Sequence, residues 1–430
     1  MLKKLSIILA LSSVPLFAQE HSHHECSHPL HKNLHVEQKK DDFSLSGVLT
    51  VDNFFESHGD RTTEALGSIA GFGHAHEDEH NHGSAKDGFQ MRHTEIEIQA
   101  DYKEAFRVLS VFGFSKDLEE VEELYLESLT LPYGFNFKIG QFFSEVGIFN
   151  KRHQHAQPFT NQNLINRALF DDHGIQERGF QLNWNPPDIE GLRFGLEILE
   201  GDSEAFAEQI KAQGLKKRSN PKLWTTFIKY QHDINEKHFF AYGLSYAQGR
   251  QQEAHDEDED EVNDHFFDGT SYLYGADFAY YYKPQNEDGS GDIAIEMEYF
   301  RRDKELTVAR HDLEPTAVGL SKTDRQDGIT LQALYGITPK LRTGLRCEIV
   351  GLTNDSQEEA GDLSQKLKRS YRNSAMLDYL LNDYNLLRAQ ISHYDIRTEN
   401  TEEDFWAFSI QWQITLGIQK SITLDKHHEE

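Results

Sequence analysis

From Phe43 onward, apolar and polar residues alternate with a period of two along almost the whole chain. The last patterned stretch is the clearest. Trp406, Phe408, Ile410, Trp412, Ile414 and Leu416 share one face, and Ala407, Ser409, Gln411, Gln413 and Thr415 share the other. Successive side chains of a strand point to opposite sides, so the pattern predicts β-strands with unlike faces. Sixteen segments carry it: 43–56, 90–102, 105–115, 123–132, 135–147, 178–186, 191–201, 222–233, 238–249, 270–283, 291–302, 327–337, 340–352, 371–381, 384–396 and 403–417.

The connections alternate as well. Short ones at 103–104, 133–134, 187–190, 234–237, 284–290, 338–339 and 382–383 separate long ones at 57–89, 148–177, 202–221, 250–269, 303–326 and 353–370, with only those near 116–122 and 397–402 of modest length. An up-and-down barrel with tight periplasmic turns and long outer loops predicts this parity. The face opposite the apolar one carries Glu95, Glu97, Asp101, Lys138, Arg193, Glu197, Lys229, Asp277, Glu296, Glu298, Arg342, Arg346, Glu348, Asp378 and Arg388. So many charges cannot occupy a dry core, but they can line a wet lumen. About sixteen strands is a size that leaves an aqueous channel. The expected fold is all-β, a transmembrane antiparallel up-and-down β-barrel over residues 43–417. Tyr280, Tyr281, Tyr282, Phe239 and Phe240 suit an interfacial girdle.

The ends supply the address. Lys3 and Lys4 precede an apolar run at 5–17, with a cleavage point after Ala18, which predicts a signal peptide at 1–18. That run is too short to span a bilayer as a helix. Residues 19–42 are polar and of low complexity, and predict a disordered His-rich periplasmic tail; residues 418–430 form a C-terminal tail. The last strand is not followed by a terminal aromatic, so an internal or atypical assembly signal is expected. A mean hydropathy of −0.66 excludes a helical membrane protein but not a barrel, whose alternating strands average out. Cys26 and Cys347 make no disulfide framework. A net charge of −29 disfavours nucleic acid as a partner. The expected location is the outer membrane of a Gram-negative cell. The expected partners are its lipid, the barrel-assembly machinery and two further copies in a homotrimer.

One connection stands apart. GQFFSEVGIFNKRHQHAQPFTNQNLINRALFDDHGIQERGFQLNW, residues 140–184, leaves a strand, runs some thirty residues as loop and re-enters a strand. Loops that long are uncommon unless functional. This one carries Lys151, Arg152, His153, His155, Arg167, Asp171, Asp172 and His173, and is expected to fold into the barrel mouth. Its H-x-H-x-x-P-F, Asn-Leu-Ile-Asn-Arg and Asp-x-His-Gly-Ile patterns resemble a family of Gram-negative outer-membrane proteins. Members are similar to sixteen-stranded porins of the phosphate-selective type, and some are labelled zinc-regulated TonB-dependent outer-membrane receptors. The resemblance implies a porin-like channel. An energised receptor would need roughly twenty-two strands and a plug, for which 430 residues leave no room.

Twenty-three histidines set the candidate chemistry. They concentrate in the tail (His21, His23, His24, His28, His31, His35), the first outer loop (His74, His76, His80, His82), the third loop (His153, His155, His173) and the C-terminus (His427, His428). Imidazole with carboxylate suits zinc, copper and nickel. On mobile segments it makes a loose chelator, with binding in the micromolar range that weakens as pH falls through roughly 6. His93, His232 and His393 read as isolated lumen or interface side chains. Pore-lining candidates are Lys151, Arg152, Arg167, Glu95, Glu97, Lys138, Arg193, Arg342, Arg346 and Arg388; the loop cations are expected to set a transverse field against the acidic wall. No motif of an enzyme is present. The sequence thus points to an outer-membrane channel that favours uptake or capture of divalent metal, zinc first. It requires no resident cofactor, with Zn2+ as cargo or loosely held ligand. A general or anion-preferring porin without a metal role, and a non-conducting surface metal buffer, are the alternatives.

Overall fold

The computed structural model describes residues 43–72, 86–103, 105–115, 119–170, 173–202, 210, 215, 218–255, 265–284, 289–359, 363–398 and 401–417. The expected signal peptide and both tails lie outside these residues, as do His74, His76, His80, His82, Asp171 and Asp172.

The strands in chain order are β1 (Phe43–Glu56), β2 (Gly88–Tyr102), β3 (Phe106–Phe114), β4 (Glu119–Ser128), β5 (Phe135–Phe143), β6 (Gln176–Trp184), β7 (Leu192–Leu199), β8 (Leu223–Asn235) and β9 (His238–His255). They continue as β10 (His265–Tyr282), β11 (Ile293–His311), β12 (Ser321–Thr338), β13 (Leu341–Val350), β14 (Asp355–Glu358), β15 (Leu363–Lys366), β16 (Ser370–Asn382), β17 (Asn385–Arg397) and β18 (Glu402–Gly417). Neighbours pair antiparallel throughout, and β1 pairs with β18 from Val48↔Gly417 to Glu56↔Ser409. β13 pairs directly with β16, so β14–β15 is a hairpin set aside from the ring, laid along the outer half of β12. Sixteen strands therefore close a barrel. In lipid an unpaired strand edge has no water to satisfy it, and closure removes both edges.

Period-two alternation sorts the side chains. Leu244, Leu345, Trp406 and Trp412 point outward to the apolar surround, while Glu197, Glu298, Arg302, Asp378 and Gln411 are wholly enclosed. Stacked rings mark the turn-side rim. Phe135, Trp184 and Phe194 form one row, with centroids 6.1 and 5.5 Å apart. Phe240, Tyr242 and Tyr280 form another. Two of the residues expected in this girdle sit elsewhere. Tyr281 turns inward and donates its hydroxyl to Glu296 at 2.6 Å, and Phe239 packs against it, because neighbours in a strand cannot share a face.

The wall is uneven. β3 to β7 are eight to ten residues long, whereas β9 to β12 run to eighteen or nineteen. The connections expected at 250–269 and 303–326 are therefore largely strand. On β11 the outward positions change from Met297 and Tyr299 to Arg301, Asp303 and Glu305. Beyond the lipid no apolar face is needed, so the hydrophobic signal stops while the hydrogen-bond ladder continues. Two short helices, α1 (Gly59–Gly67) and α2 (Leu164–Phe170), also depart from the helix-free expectation. Both lie in loops and are too short for periodicity to betray them.

Loop 3, described at residues 144–170 and 173–175, turns into the barrel. Val146, Leu164, Ile165, Leu169 and Phe170 pack with Phe142, Phe300, Val350 and Ile396, and Ile148, Phe149 and Phe159 pack with Tyr281, Leu334 and Met376. The molecule's apolar core is thus built inside the lumen between loop and wall. Gly147, at φ +70°, lets the loop backbone pass so close to β11 that a Cβ would collide with the Glu298 carboxylate.

Ring closure between first and last strands is directly testable. In a variant lacking Cys26 and Cys347, cysteines placed at Thr50 and Thr415, which face each other across the seam, are expected to form a disulfide on mild oxidation. The boiled, oxidised protein should migrate faster than the reduced one. Failure to cross-link in folded protein would contradict this register.

Candidate metal site in the lumen

Two breaks in alternation build the site. Between β1 and β2 the register runs Asp52↔His93 and then Asn53↔Met91, so Arg92 is an extra residue. Between β3 and β4 it runs Val111↔Glu123 and then Phe112↔Val121, so Glu122 is extra. A bulge of this kind re-aims side chains that alternation would send to opposite faces. Here it turns Arg92 and His93 both inward, and likewise Glu122 and Glu123, beside Glu95 on the next inward position.

Loop 3 supplies the rest. The turn at Gln154–Ala156 presents His153 and His155 to this patch, their rings stacked with centroids 5.8 Å apart and Phe143 edge-on to His153. His93 Nε2 lies 2.7 Å from Glu122 Oε1 and 3.6 Å from Glu95 Oε2. His153 Nδ1 lies 2.8 Å from Glu122 Oε2 and 3.3 Å from Glu95 Oε2, while its Nε2 meets Glu123 Oε2 at 2.9 Å. His155 Nδ1 reaches Glu95 Oε2 at 3.0 Å. Ligand atoms of His93, Glu95 and Glu122 all fall within 4.8 Å of one another. Glu97 sits two residues along the same inward face.

Burial works against a charged imidazole at His153. The Glu95 carboxylate and the hydrogen bonds to Glu122 and Glu123 outweigh it, and the His153 pKa is held well above its ordinary value. A metal ion entering here has that proton to displace.

Of the three histidines on this loop, the structure brings together His153 and His155. His173 stands after α2, half-exposed, 3.8 Å from Glu120 Oε2. It shares with the cluster the cavity lined by α1 residues Thr62 and Leu66, by Gly113 of β3 and by Arg167. His93, read as an isolated side chain, is instead central. Glu122 and Glu123 went unnoticed because the alternation reads as beginning at 123, which leaves Glu122 in the preceding connection, whereas the strand begins at Glu119.

The expected pore-lining cations are inside the barrel but already engaged. Arg342 and Arg388 both bind Asp378, at 2.6 and 2.7 Å, and Arg388 donates to the Gln157 carbonyl at 2.8 Å. Arg346 and Arg372 flank Glu348, at 3.1 and 2.5 Å, and donate to the carbonyls of Asn161 and Gln162. Arg152 pairs with Glu296 and Lys151 with Glu145. Lys138 lies over the Tyr125 ring, and Arg193 over Phe227 while it pairs with Glu145. Arg92, absent from the expected set, binds Asp52 and donates to the Thr160 carbonyl. Of the three loop cations expected to set a transverse field, Lys151 and Arg152 are thus each paired with a carboxylate, and Arg167 lines the cavity. The arginine side of the wall grips loop 3 through its backbone, and the histidine–glutamate side meets it through side chains.

No family model matches the chain. A protein of Aquifex aeolicus (strain VF5), described only as uncharacterized, is 28% identical over 357 residues, which cover 80% of this chain and 72% of that one. Among solved structures, OmpT of Vibrio cholerae, an outer-membrane protein, superposes with a TM-score of 0.50 at 8% identity, over 89% of this chain and all of that one. The outer-membrane channel DcaP of Acinetobacter baumannii does so with a TM-score of 0.51 at 11% identity, over 88% and 99%. At such identities the likeness is one of fold: this chain has the barrel architecture of outer-membrane porins.

Removing one partner of a buried ion pair strands the other charge and typically costs about 3–5 kcal/mol. Arg372→Ala is therefore expected to destabilise the folded barrel toward denaturant and to loosen loop 3. The measurement is trypsin cleavage after Lys151 or Arg152 in detergent-solubilised protein, expected to speed up. Unchanged cleavage and stability would mean that the arginine wall does not hold the loop.

Proposed function

We propose that this protein is an outer-membrane channel whose lumen favours divalent transition-metal ions, zinc first. The carrying observation is the cluster of His93, His153 and His155 on Glu95 and Glu122. Imidazole nitrogen with carboxylate oxygen is a donor set that zinc prefers, whereas calcium and magnesium ask for oxygen alone. Donor atoms about 3–4 Å apart can close on one ion at metal–ligand distances near 2.0–2.2 Å with side-chain adjustment only. The cluster lies on the cavity lined by His93, Glu122 and His153, so an ion reaches it without the wall opening. Conduction asks for a site that attracts an ion yet releases it, which two wall strands and a loop satisfy better than a closed cage.

The resemblance of residues 140–184 to proteins labelled zinc-regulated points the same way. A signal peptide cleaved after Ala18 and insertion by the barrel-assembly machinery complete the proposed route to the outer membrane. Assembly as a homotrimer draws support from one structure of the Vibrio cholerae OmpT described as a trimer form, with a TM-score of 0.50.

Reconstituted in planar bilayers, the channel is expected to conduct, and micromolar zinc to reduce its current reversibly on chelation. The His93→Ala, His153→Ala double variant should raise the half-blocking zinc concentration about tenfold or more. Equal block in both proteins would overturn the reading. Because a proton on His153 competes with the ion, zinc block should weaken as pH is lowered from 8 to 6, with protons released on binding at neutral pH. A pH-independent block would place the zinc elsewhere.

A further inference from the structure

The two oxygens of Glu122 do different things. Oε1 faces His93, at 2.7 Å, and Oε2 faces His153, at 2.8 Å, on the opposite side of the same carboxylate. A carboxylate held in that way between two imidazoles has the arrangement of a bridge between two metal ions, one on each oxygen. Glu95 spans the same interval: its Oε2 lies 3.6 Å from His93 Nε2, 3.3 Å from His153 Nδ1 and 3.0 Å from His155 Nδ1.

We infer that the lumen holds two adjacent divalent-metal positions that share Glu122 and Glu95. This rests on the channel reading above and deepens it. One position takes His93 Nε2, Glu122 Oε1 and Glu95; the other takes His153 Nδ1, His155 Nδ1, Glu122 Oε2 and Glu95. Glu123 is a positioning residue. It faces His153 Nε2 at 2.9 Å, which holds the proton on that nitrogen and turns the Nδ1 lone pair toward the ion.

Four carboxylates, Glu95, Glu97, Glu122 and Glu123, point into this corner from β2 and β4, enough to supply oxygen ligands to two ions. Paired divalent sites sharing carboxylates commonly hold their ions roughly 4 Å apart. At that separation each ion lowers the other's affinity, so arrival at one position promotes departure from the other. This is the knock-on passage that multi-site channels use.

The inference is tested by copper titration of the full-length protein in detergent. The histidines at 21–35, 74–82, 427 and 428 are first replaced by alanine, so that they do not contribute. Two equivalents of Cu2+ are expected to bind. The doubly loaded protein should show a half-field electron paramagnetic resonance transition, the signature of two coppers a few ångströms apart. His93→Ala should reduce the count to one, as should the His153→Ala, His155→Ala double variant, each without the half-field signal. Heat-modifiable migration on gels reports that each variant barrel is folded. One equivalent in the parent, or two equivalents without the half-field transition, would overturn the pair while leaving a single lumenal site standing. Zero equivalents would remove the metal reading altogether.

Discussion

Everything in this molecule follows from the requirement that backbone N–H and C=O groups facing lipid be satisfied within the protein. Sixteen antiparallel strands meet it by closing on themselves, β1 against β18. Closure with one face in lipid forces the period-two rule on every strand, and within the lipid-facing span that rule sends charges inward. The lumen then holds acids and bases at a density no apolar core would tolerate. Their mutual pairing, and their pairing with an inward loop, is the solution reached here.

Loop 3 is consequently the interior of the protein as much as its constriction. Its apolar residues meet the wall in two clusters, and its backbone is held along one side by guanidinium groups. Those contacts are permanent in character, since arginine does not titrate in the accessible range. The other side is held by imidazole against carboxylate, contacts that a proton or a metal ion can each maintain. The barrel thus joins a fixed anchorage to an exchangeable one across the same loop, and the exchangeable side faces the cavity.

How much of this was legible in the sequence differs from element to element. β18 announces itself, because six apolar residues alternate over its length. Arg342, Arg346 and Arg388 were placed in the lumen by the same logic, and they are there. The outer parts of β11 and β12 were read as loop, since outside the membrane the ladder needs no hydrophobic face. His93 was missed as a ligand because its patterned strand slips by one residue at a bulge, which alternation has no symbol for, and Glu122 because it fell just outside the segment read as strand. His173 was grouped with His153 and His155 by proximity in sequence, whereas α2 carries the chain back to the wall between them. The ion pairs that neutralise Lys151 and Arg152 join residues more than a hundred positions apart, or across the loop's own fold, and no local pattern records them.

The central claim is that a divalent metal ion settles in the lumen between β2, β4 and loop 3. The most direct measurement is an anomalous-difference map, collected at the zinc edge, from crystals of the protein grown with zinc. The account expects anomalous density within coordination distance of the Glu122 carboxylate, flanked by His93 on one side and His153 on the other. Ordered zinc found only elsewhere on the protein, with this cluster still joined by its own hydrogen bonds, would contradict it.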